Sequence, residues 1–481
     1  MVRRILFGLV ITLFAVVAVI LFNTFTFTST QSVVGHVPAP EVPSEALTHL
    51  TEAIRHKTIS SEDTSLTDTA AFRHFHRFLE KSYPQVHEKL SREIIAELSL
   101  LYRWEGKDPS LNAIVLMAHQ DVVPIEEATR PIWTVDPFQG VVKDGFIWGR
   151  GAADDKINLI AILESVEKLL SKNYKPDRTV YLAFGHDEEV GGKGAIAMAA
   201  LLKSRNVRAD LVLDEGGIIT REKVPGMKKP VALLGTSEKG YLSLILSVEK
   251  EGGHSSMPEP ETAIDILTIA INKIRDHPFK AGFSASTEGF IAALGPEMPF
   301  MEKMAFANIW LFRPLVNNIY EQSPGGNAMI RTTVIPTMIN AGIKDNVVPT
   351  VARATINIRL LPGDSSEEVI SRIKEIIADD RVSLTKLTSF AAEPSEVTSA
   401  ESFAFRKVDQ IIRKTVDSVV TAPFLMIGGT DSRHFGEVSD GIIKFSPMTD
   451  PIGFHGIDER VSIESYRNSL WFFEQLLRDI R

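Results

Sequence analysis

The chain has 481 residues, of which 44% are hydrophobic and 23% are charged, so it is a globular chain with room for two domains and not a disordered one. Its formal net charge of −9 argues against nucleic acid as a partner, because nucleic-acid-binding proteins favour a basic face. No cysteine is present, which excludes a thiol nucleophile, a zinc–thiolate site and disulfide bonds.

The N-terminus carries an apolar segment. An uncharged run from Ile5 to Phe22 follows "MVRR" and reaches the roughly 18-residue length of a membrane helix. A cleaved signal has an apolar region of about 7–15 residues and a small-residue cleavage site, which "NTFTFTSTQS" does not resemble. We therefore predict a transmembrane signal-anchor over residues 1–27, with Arg3 and Arg4 in the cytoplasm and the rest of the chain extracytoplasmic. Secretion after signal cleavage is the alternative, and a polar linker follows at residues 28–45.

Beyond the linker, apolar strands alternate with helical patterns. Helical spacing runs from about Ala46 to Tyr83. The segments that follow are the strands "EIIAELSLLYRW", "NAIVLMA", "RTVYLAFG" and "ADLVLD" and the helices "KINLIAILESVEKLLSK" and "GGKGAIAMAALLKSR". This order is typical of an α/β domain, a mostly parallel sheet with helices on both faces. We assign residues 46–236 to its first part and residues 387–481 to its second part.

Between these two parts the pattern changes. The segments follow in the order β-α-β-β-α: "GYLSLILSVE", a helix from about Thr262 to Asp276, "AMIRTTVIPTMINAG", "TVARATINIRLLPG" and "SSEEVISRIKEIIAD". We predict that residues 237–386 form an inserted α+β domain. Its apolar stretch from Phe290 to Phe312 is either the core or dimer seam of this domain, or a surface that accepts an apolar acyl chain.

Acidic residues and histidines stand where several of the predicted strands end. Ligand sites in an open α/β sheet form outside the carboxyl ends of the strands, so these side chains are expected to meet at one edge. Crowded carboxylates need a neutralising charge. Imidazole and carboxylate ligands suit Zn²⁺, with Mn²⁺ or Co²⁺ as alternatives, and a bridging carboxylate can hold two ions about 3.5–4 Å apart. The candidates, including two loops, are His119, Asp121, Asp154, Asp155, His186, Asp187, Glu188, Glu189, Asp214, Glu215 and His455.

Each of these candidates alone fits an ordinary loop pair, surface acid or helix N-cap, but their combination is specific. With "MAHQDVVP", "GRGAADDK", "GHDEEVGG", "LDEGG", "GGHSSMP" and "GFHGIDE", the chain from Ser44 onward resembles the co-catalytic zinc aminoacylase and carboxypeptidase metallopeptidase family. Within that family, "GGTDSRHF" is closest to the carboxypeptidase S and N-fatty-acyl amino acid synthase/hydrolase branch. The resemblance implies a hydrolase that cleaves the amide bond next to a free carboxylate in dipeptides or N-acyl amino acids. A broad dipeptidase or aminopeptidase and an inactive membrane-tethered binding protein are the alternatives.

The resemblance also implies two Zn²⁺ per chain and a role for each matching residue. Asp154 would bridge the ions, Asp214 would complete the first site with His119, and Glu189 would share the second with His455. Glu188 would be the general base, Asp121 would hydrogen-bond to His119, and the peptide between Asp154 and Asp155 would be cis. His254 would cross a homodimer interface and hydrogen-bond to the substrate carbonyl in the partner's site. The substrate-binding candidates are Asn346, Arg359, Gly429, Thr430, Asp431 and Arg433, with surface salt bridges as the alternative for the two arginines.

Overall fold

The computed structural model describes residues 2–481, apart from the side chains of residues 388–390. Helices cover both ends of the chain and most connections between strands. Their bounds are α1 (Val2–Thr26), α2 (Ser44–Arg55), α3 (Thr69–Ser82), α4 (Pro84–Lys89), α5 (Lys156–Ser171), α6 (Lys193–Ser204), α7 (Ala263–Asp276), α8 (Ala285–Leu294), α9 (Phe300–Ala307), α10 (Ile309–Glu321), α11 (Pro324–Ile330), α12 (Ser366–Ile377), α13 (Phe403–Thr415) and α14 (Ile463–Asp479).

The strands belong to a large sheet, a four-stranded sheet and two short ladders. Their bounds are β1 (Ser91–Ile95), β2 (Ser99–Trp104), β3 (Ala113–His119), β4 (Val141–Lys143), β5 (Phe146–Trp148), β6 (Val180–Gly185), β7 (Ala209–Thr220), β8 (Val231–Glu238), β9 (Gly240–Glu249), β10 (Gly253–His254), β11 (Thr333–Ala341), β12 (Val347–Val348), β13 (Val351–Leu360), β14 (Val382–Ala392), β15 (Val420–Met426), β16 (Ile442–Thr449) and β17 (Arg460–Ser462).

The large sheet has the strand order β1-β2-β6-β3-β7-β16-β8-β15. The pairs β6–β3, β3–β7, β7–β16 and β8–β15 are parallel. Every residue of β3 and β6 is buried, because α5 and α14 contribute to the core on one face and α6 to the core on the other. The predicted mostly parallel α/β sheet with helices on both faces is therefore confirmed.

Some elements differ from the prediction. The segment "EIIAELSLLYRW" is a hairpin of β1 and β2, because Ala96 and Glu97 take positive φ angles of 46° and 71° and reverse the chain. The helical region after Ala46 divides into α2, α3 and α4. The linker at residues 28–45 is docked on the body of the protein: the Val37 amide donates to the Lys414 carbonyl at 2.7 Å.

The second sheet, β11-β13-β9-β14, is antiparallel and packs on α7 and α12. Strand β14 continues to Ala392, so the boundary predicted between residues 386 and 387 falls inside this strand. Helix α8 also departs from the prediction. Although it lies within the predicted inserted segment, its Phe290 and Leu294 join Val420 and Ala422 in a core on the edge of the large sheet.

Candidate metal centre

The carboxylate of Asp154 lies between two histidines at the carboxyl edge of the large sheet. Its Oδ1 is 2.8 Å from Nε2 of His119, at the end of β3, and its Oδ2 is 2.6 Å from Nε2 of His455, in the loop before β17. Burial opposes ionisation of Asp154, but its hydrogen bonds with both histidines hold its pKa below the usual range. The peptide between Asp154 and Asp155 is cis, as the resemblance implied.

Asp121 connects His119 to the segment that follows β6. Nδ1 of His119 hydrogen-bonds to the backbone carbonyl of Asp121 at 3.0 Å and lies 3.3 Å from Oδ1 of the same residue. The backbone amides of Glu188 and Glu189 donate to the Asp121 carboxylate at 3.2 and 3.1 Å. Ser60 also donates to it at 2.6 Å. A carboxylate on one ring nitrogen of a histidine fixes the tautomer and leaves the other nitrogen free to act as a ligand. Asp121 therefore orients His119 through its backbone carbonyl and nearby carboxylate, and the same carboxylate positions both glutamates.

Glu189 and His455 form the outer side of the cluster. Oε1 of Glu189 is 3.4 Å from Nε2 of His455, but it is buried without a hydrogen-bond partner among the described residues. The hydrogen bond with Asp154 and the nearby carboxylate of Glu189 raise the pKa of His455 to about 10. His455 has a φ of +55°, a left-handed conformation that turns its side chain toward Asp154.

The structure places Glu215, and not Asp214, beside His119. Oε1 of Glu215 is 3.4 Å from Nε2 of His119. Asp214 instead accepts hydrogen bonds from the backbone amides of Ser432 at 2.8 Å and of Glu215 itself at 2.9 Å. Successive side chains of a strand point to opposite sides, so only one of these neighbours in β7 can face the cluster. In this geometry the carboxylate beside His119 belongs to Glu215 and not to Asp214, the residue that the resemblance implied.

The cluster concentrates negative charge where water is largely excluded. Burial, followed by repulsion from Glu215, Asp431 and Glu189, holds the pKa of Glu188 well above its usual range. Burial and the charge of Asp154 do the same to the pKa of Glu215. The ligand atoms of His119, Asp154 and Glu189 lie within 4.8 Å of one another. Such crowding, together with the unpartnered oxygen of Glu189, fits the bound cations that a metallohydrolase requires.

A second buried pair supports the loop that carries Asp154. Glu459 accepts hydrogen bonds from the backbone amides of Gly151, Ala153 and Asp154 at 3.1, 2.8 and 3.2 Å. Arg150 donates to the same carboxylate at 2.6 Å. This role of Glu459 was not predicted from the sequence, although the residue ends the segment "GFHGIDE". The available signal was an acid that follows the candidate ligand His455 by only four positions.

The predicted substrate-binding residues fall into two groups. Arg359 lies over the Tyr241 ring at 4.6 Å, and its pKa is lowered by burial and the nearby charge of Arg433. Neither arginine has a salt-bridge partner among the described residues, which argues against the surface salt bridge considered for both. Arg433 donates to the Thr430 carbonyl at 2.7 Å and packs against Gly429. Asp431 is buried close to Gly185 and Gly192, with Oδ2 unpartnered among the described residues.

His254 and Asn346 form the other group, on the small ladder of β10 and β12. The Ser255 amide donates to the Asn346 carbonyl at 3.2 Å. His254 is exposed, and its Nδ1 accepts from the Ser256 amide at 3.2 Å, which leaves the proton of a neutral ring on Nε2. Within the described part of the chain, no hydrogen bond or salt bridge joins His254 to the cluster around Asp154.

The site and the fold can now be compared with known proteins. The sequence profile of Peptidase family M20/M25/M40 matches residues 115–479. A probable carboxypeptidase S-like protein of Dictyostelium discoideum is 38% identical over 97% of this chain and 92% of its own length. The N-fatty-acyl-amino acid synthase/hydrolase of Mus musculus is 39% identical over 86% of this chain and 83% of its own length. The solved structure of an M20 family metallo-carboxypeptidase from Sulfolobus solfataricus gives a TM-score of 0.62 at 19% identity, covering 91% of this chain and 99% of that one.

The chain therefore belongs to peptidase family M20/M25/M40. It is a hydrolase that acts on peptide or amide bonds, and the predicted family and enzyme class are confirmed.

Proposed function

We propose that this hydrolase uses two metal ions, Zn²⁺ in the first instance, to cleave the amide bond of N-acyl amino acids or dipeptides beside a free carboxylate. The position of Asp154 between His119 and His455 carries the proposal, because one carboxylate shared by two imidazoles is how a bridging ligand is arranged. Glu215 would complete the site of His119, and Glu189 that of His455.

The ions, when bound, would supply Lewis-acid chemistry, polarising the amide carbonyl and acidifying a water molecule. Side chains of the protein would transfer the protons and hold the reacting groups in position. Glu188 would take a proton from the attacking water and deliver it to the leaving nitrogen. Asp121 would hold His119 and the backbone of Glu188 in fixed positions relative to each other.

Recognition of a free carboxylate is supported by the basic group around Arg359. Arg433 is close enough to lower the pKa of Arg359, and nearby Lys239 has its pKa lowered to about 8 by burial and by Arg359. Two like-charged guanidinium groups without a salt-bridge partner among the described residues favour an anionic ligand, which a guanidinium can bind bidentately. Asn346, Gly429, Thr430 and Asp431 would line the same substrate region.

We propose a homodimer in which His254 acts in the partner's site. Its exposed Nε2 proton would stabilise the carbonyl oxygen as negative charge develops there. Asn346 would accompany it, because Asn346 directly precedes β12, which pairs with β10, and its carbonyl accepts from the Ser255 amide.

We also propose that α1 remains as a membrane anchor. It is 25 residues long, with a mean hydropathy of 3.1 over 18 residues and no burial of that window. Its last turns contact the body of the protein: Nδ2 of Asn308 donates to the Ile20 carbonyl at 3.1 Å. A signal removed after translocation would have no use for such contacts, so they favour retention over secretion.

A substrate screen tests the proposed reaction. Purified full-length protein would be assayed with N-acyl phenylalanines from acetyl to oleoyl and with dipeptides, with and without added Zn²⁺. We expect Zn²⁺-dependent hydrolysis. If the acyl chain lies in an apolar groove, kcat/KM should rise with chain length, since each buried methylene contributes about 0.8 kcal/mol. A flat profile with rapid dipeptide cleavage would assign the broad dipeptidase, and no turnover with metal bound would assign the inactive binding protein.

A further inference from the structure

Helices α9 and α10 expose an unusual number of large apolar side chains. The exposed set, called here the α9–α10 face, is Phe300, Met301, Trp310, Leu311, Leu315 and Ile319. Leu311, Leu315 and Ile319 are spaced by four residues, so they lie along one side of α10. Their exposed fractions are 41%, 53% and 58%, and that of Trp310 is 58%. A contiguous apolar surface on a folded chain marks contact with something outside it.

The α9–α10 face lies next to the end of the apolar helix α1. The rings of Phe25 and Phe300 are 6.3 Å apart. Asn308, which is buried between α9 and α10, donates to the Ile20 carbonyl at 3.1 Å and to Oγ1 of Thr24 at 3.3 Å. The side chain of Asn23 donates back to Oδ1 of Asn308 at 3.0 Å. These contacts fix the α9–α10 junction against the last turns of α1.

The depth of this junction follows from the geometry of α1. The run from Ile5 to Phe22 is about 27 Å long at 1.5 Å per residue, which only just crosses the hydrocarbon layer. Ile20 therefore lies about 3 Å inside the end of that run. If α1 spans the bilayer, Asn308 lies near the end of the hydrocarbon layer because it contacts Ile20, and the residues that follow it, including Trp310 and Leu311, would lie near the lipid headgroups.

We infer that the α9–α10 face is inserted in the membrane interface, so that a lipid surface covers it. This inference rests on the proposed anchoring by α1 and goes beyond the proposed hydrolysis. Tryptophan is enriched at this depth, and helices with one apolar side lie in the interface plane. Lipid would cover the apolar side chains of the α9–α10 face that are exposed in the isolated chain, as it would cover those of α1.

Quenching by brominated lipid tests the inference on the full chain in phosphatidylcholine vesicles. The difference in emission between the wild-type protein and Trp310→Phe isolates Trp310. We expect lipids brominated at acyl carbons 6 and 7 to reduce this emission at least twofold, and lipids brominated at carbons 11 and 12 to reduce it less. Leu315→Glu should weaken the quenching by about half. Ile94→Glu, a charge at another site that is 53% exposed, should leave it unchanged.

A second measurement distinguishes failure of the inference about the α9–α10 face from failure of the proposed anchoring by α1. Carbonate extraction of the same vesicles shows whether the chain stays inserted. A chain that stays inserted while Trp310 is not quenched overturns the inference alone, and emission that changes on dilution of the protein would then assign the face to a second copy of the chain. A chain that carbonate removes overturns both the anchor and the surface.

Discussion

Glu188 is the side chain on which the proposed reaction depends most directly. Its backbone amide is held by Asp121, so Glu188→Gln changes the carboxylate without moving the chain. We expect kcat to fall by about 10²–10⁴-fold, the usual contribution of a general base. Metal content, measured by inductively coupled plasma mass spectrometry, should stay at two ions per chain. Glu222→Gln, at an exposed acid, is the control. Loss of metal together with activity would make Glu188 a ligand instead.

Substitutions of the neighbouring residues Asp214 and Glu215 are expected to change the number of bound metal ions differently. Glu215→Gln should leave one firmly held ion per chain after dialysis, because the carboxylate 3.4 Å from His119 is lost. Asp214→Asn should keep two ions, although it weakens the hydrogen bond to the Ser432 amide and lowers Tm. The readout is metal per chain after dialysis, with Tm measured alongside. The reverse result would restore Asp214 as the ligand.

The sequence predicts which segments meet at the site but not which of two adjacent acids faces it. The strands and their ends were readable because buried strands are short apolar runs bounded by polar residues. The choice between Asp214 and Glu215 depends on the orientation of β7, and its pairing with β16 is irregular just after Asp214. Such an irregularity shifts which side chains face the rim, and it has no signature in local composition.

Among the elements, the loop between β5 and α5 depends most on a single distant residue. Glu459→Ala removes the acceptor of Gly151, Ala153 and Asp154 and leaves Arg150 buried without its partner. Breaking a buried pair in this way costs about 3–5 kcal/mol. Urea unfolding should show this loss. Glu464→Ala, which removes an exposed partner of Arg221, should cost under about 1 kcal/mol. Equal effects of the two variants would mean that Glu459 does not hold the loop.

The assignment of elements to domains also shows what local patterns omit. Strand β14 was missed because its continuation in the second sheet depends on pairing with β9, more than a hundred residues earlier in the chain. Helix α8 was placed with the inserted segment by sequence position, yet its apolar side packs on β15. Both errors concern contacts between distant residues, which the periodicity of a single segment does not report.

At the level of the assembly, the proposal for His254 can be tested by mixing two inactive variants. Because His254 would serve the partner's site while Glu188 serves its own, a heterodimer of His254→Ala and Glu188→Gln subunits contains one complete site. Co-expression with two different affinity tags isolates that heterodimer, and we expect about half of the wild-type activity per dimer. His277→Ala, at another exposed histidine, is the matched control and should remain active on its own. An inactive, verified heterodimer would place His254 in its own subunit's site.

The docked linker has a practical consequence for preparing a soluble form of this enzyme. The Gln31 side chain accepts from the Thr421 amide at 2.9 Å, donates to the Thr421 carbonyl at 3.0 Å, and receives a hydrogen bond from Arg413. A truncation at Ser44, where α2 begins, would remove Gln31 and its hydrogen bond with the largely buried guanidinium of Arg413, and would favour aggregation. A truncation at Thr28 keeps the contacts of Gln31, so soluble forms of the chain are better started there.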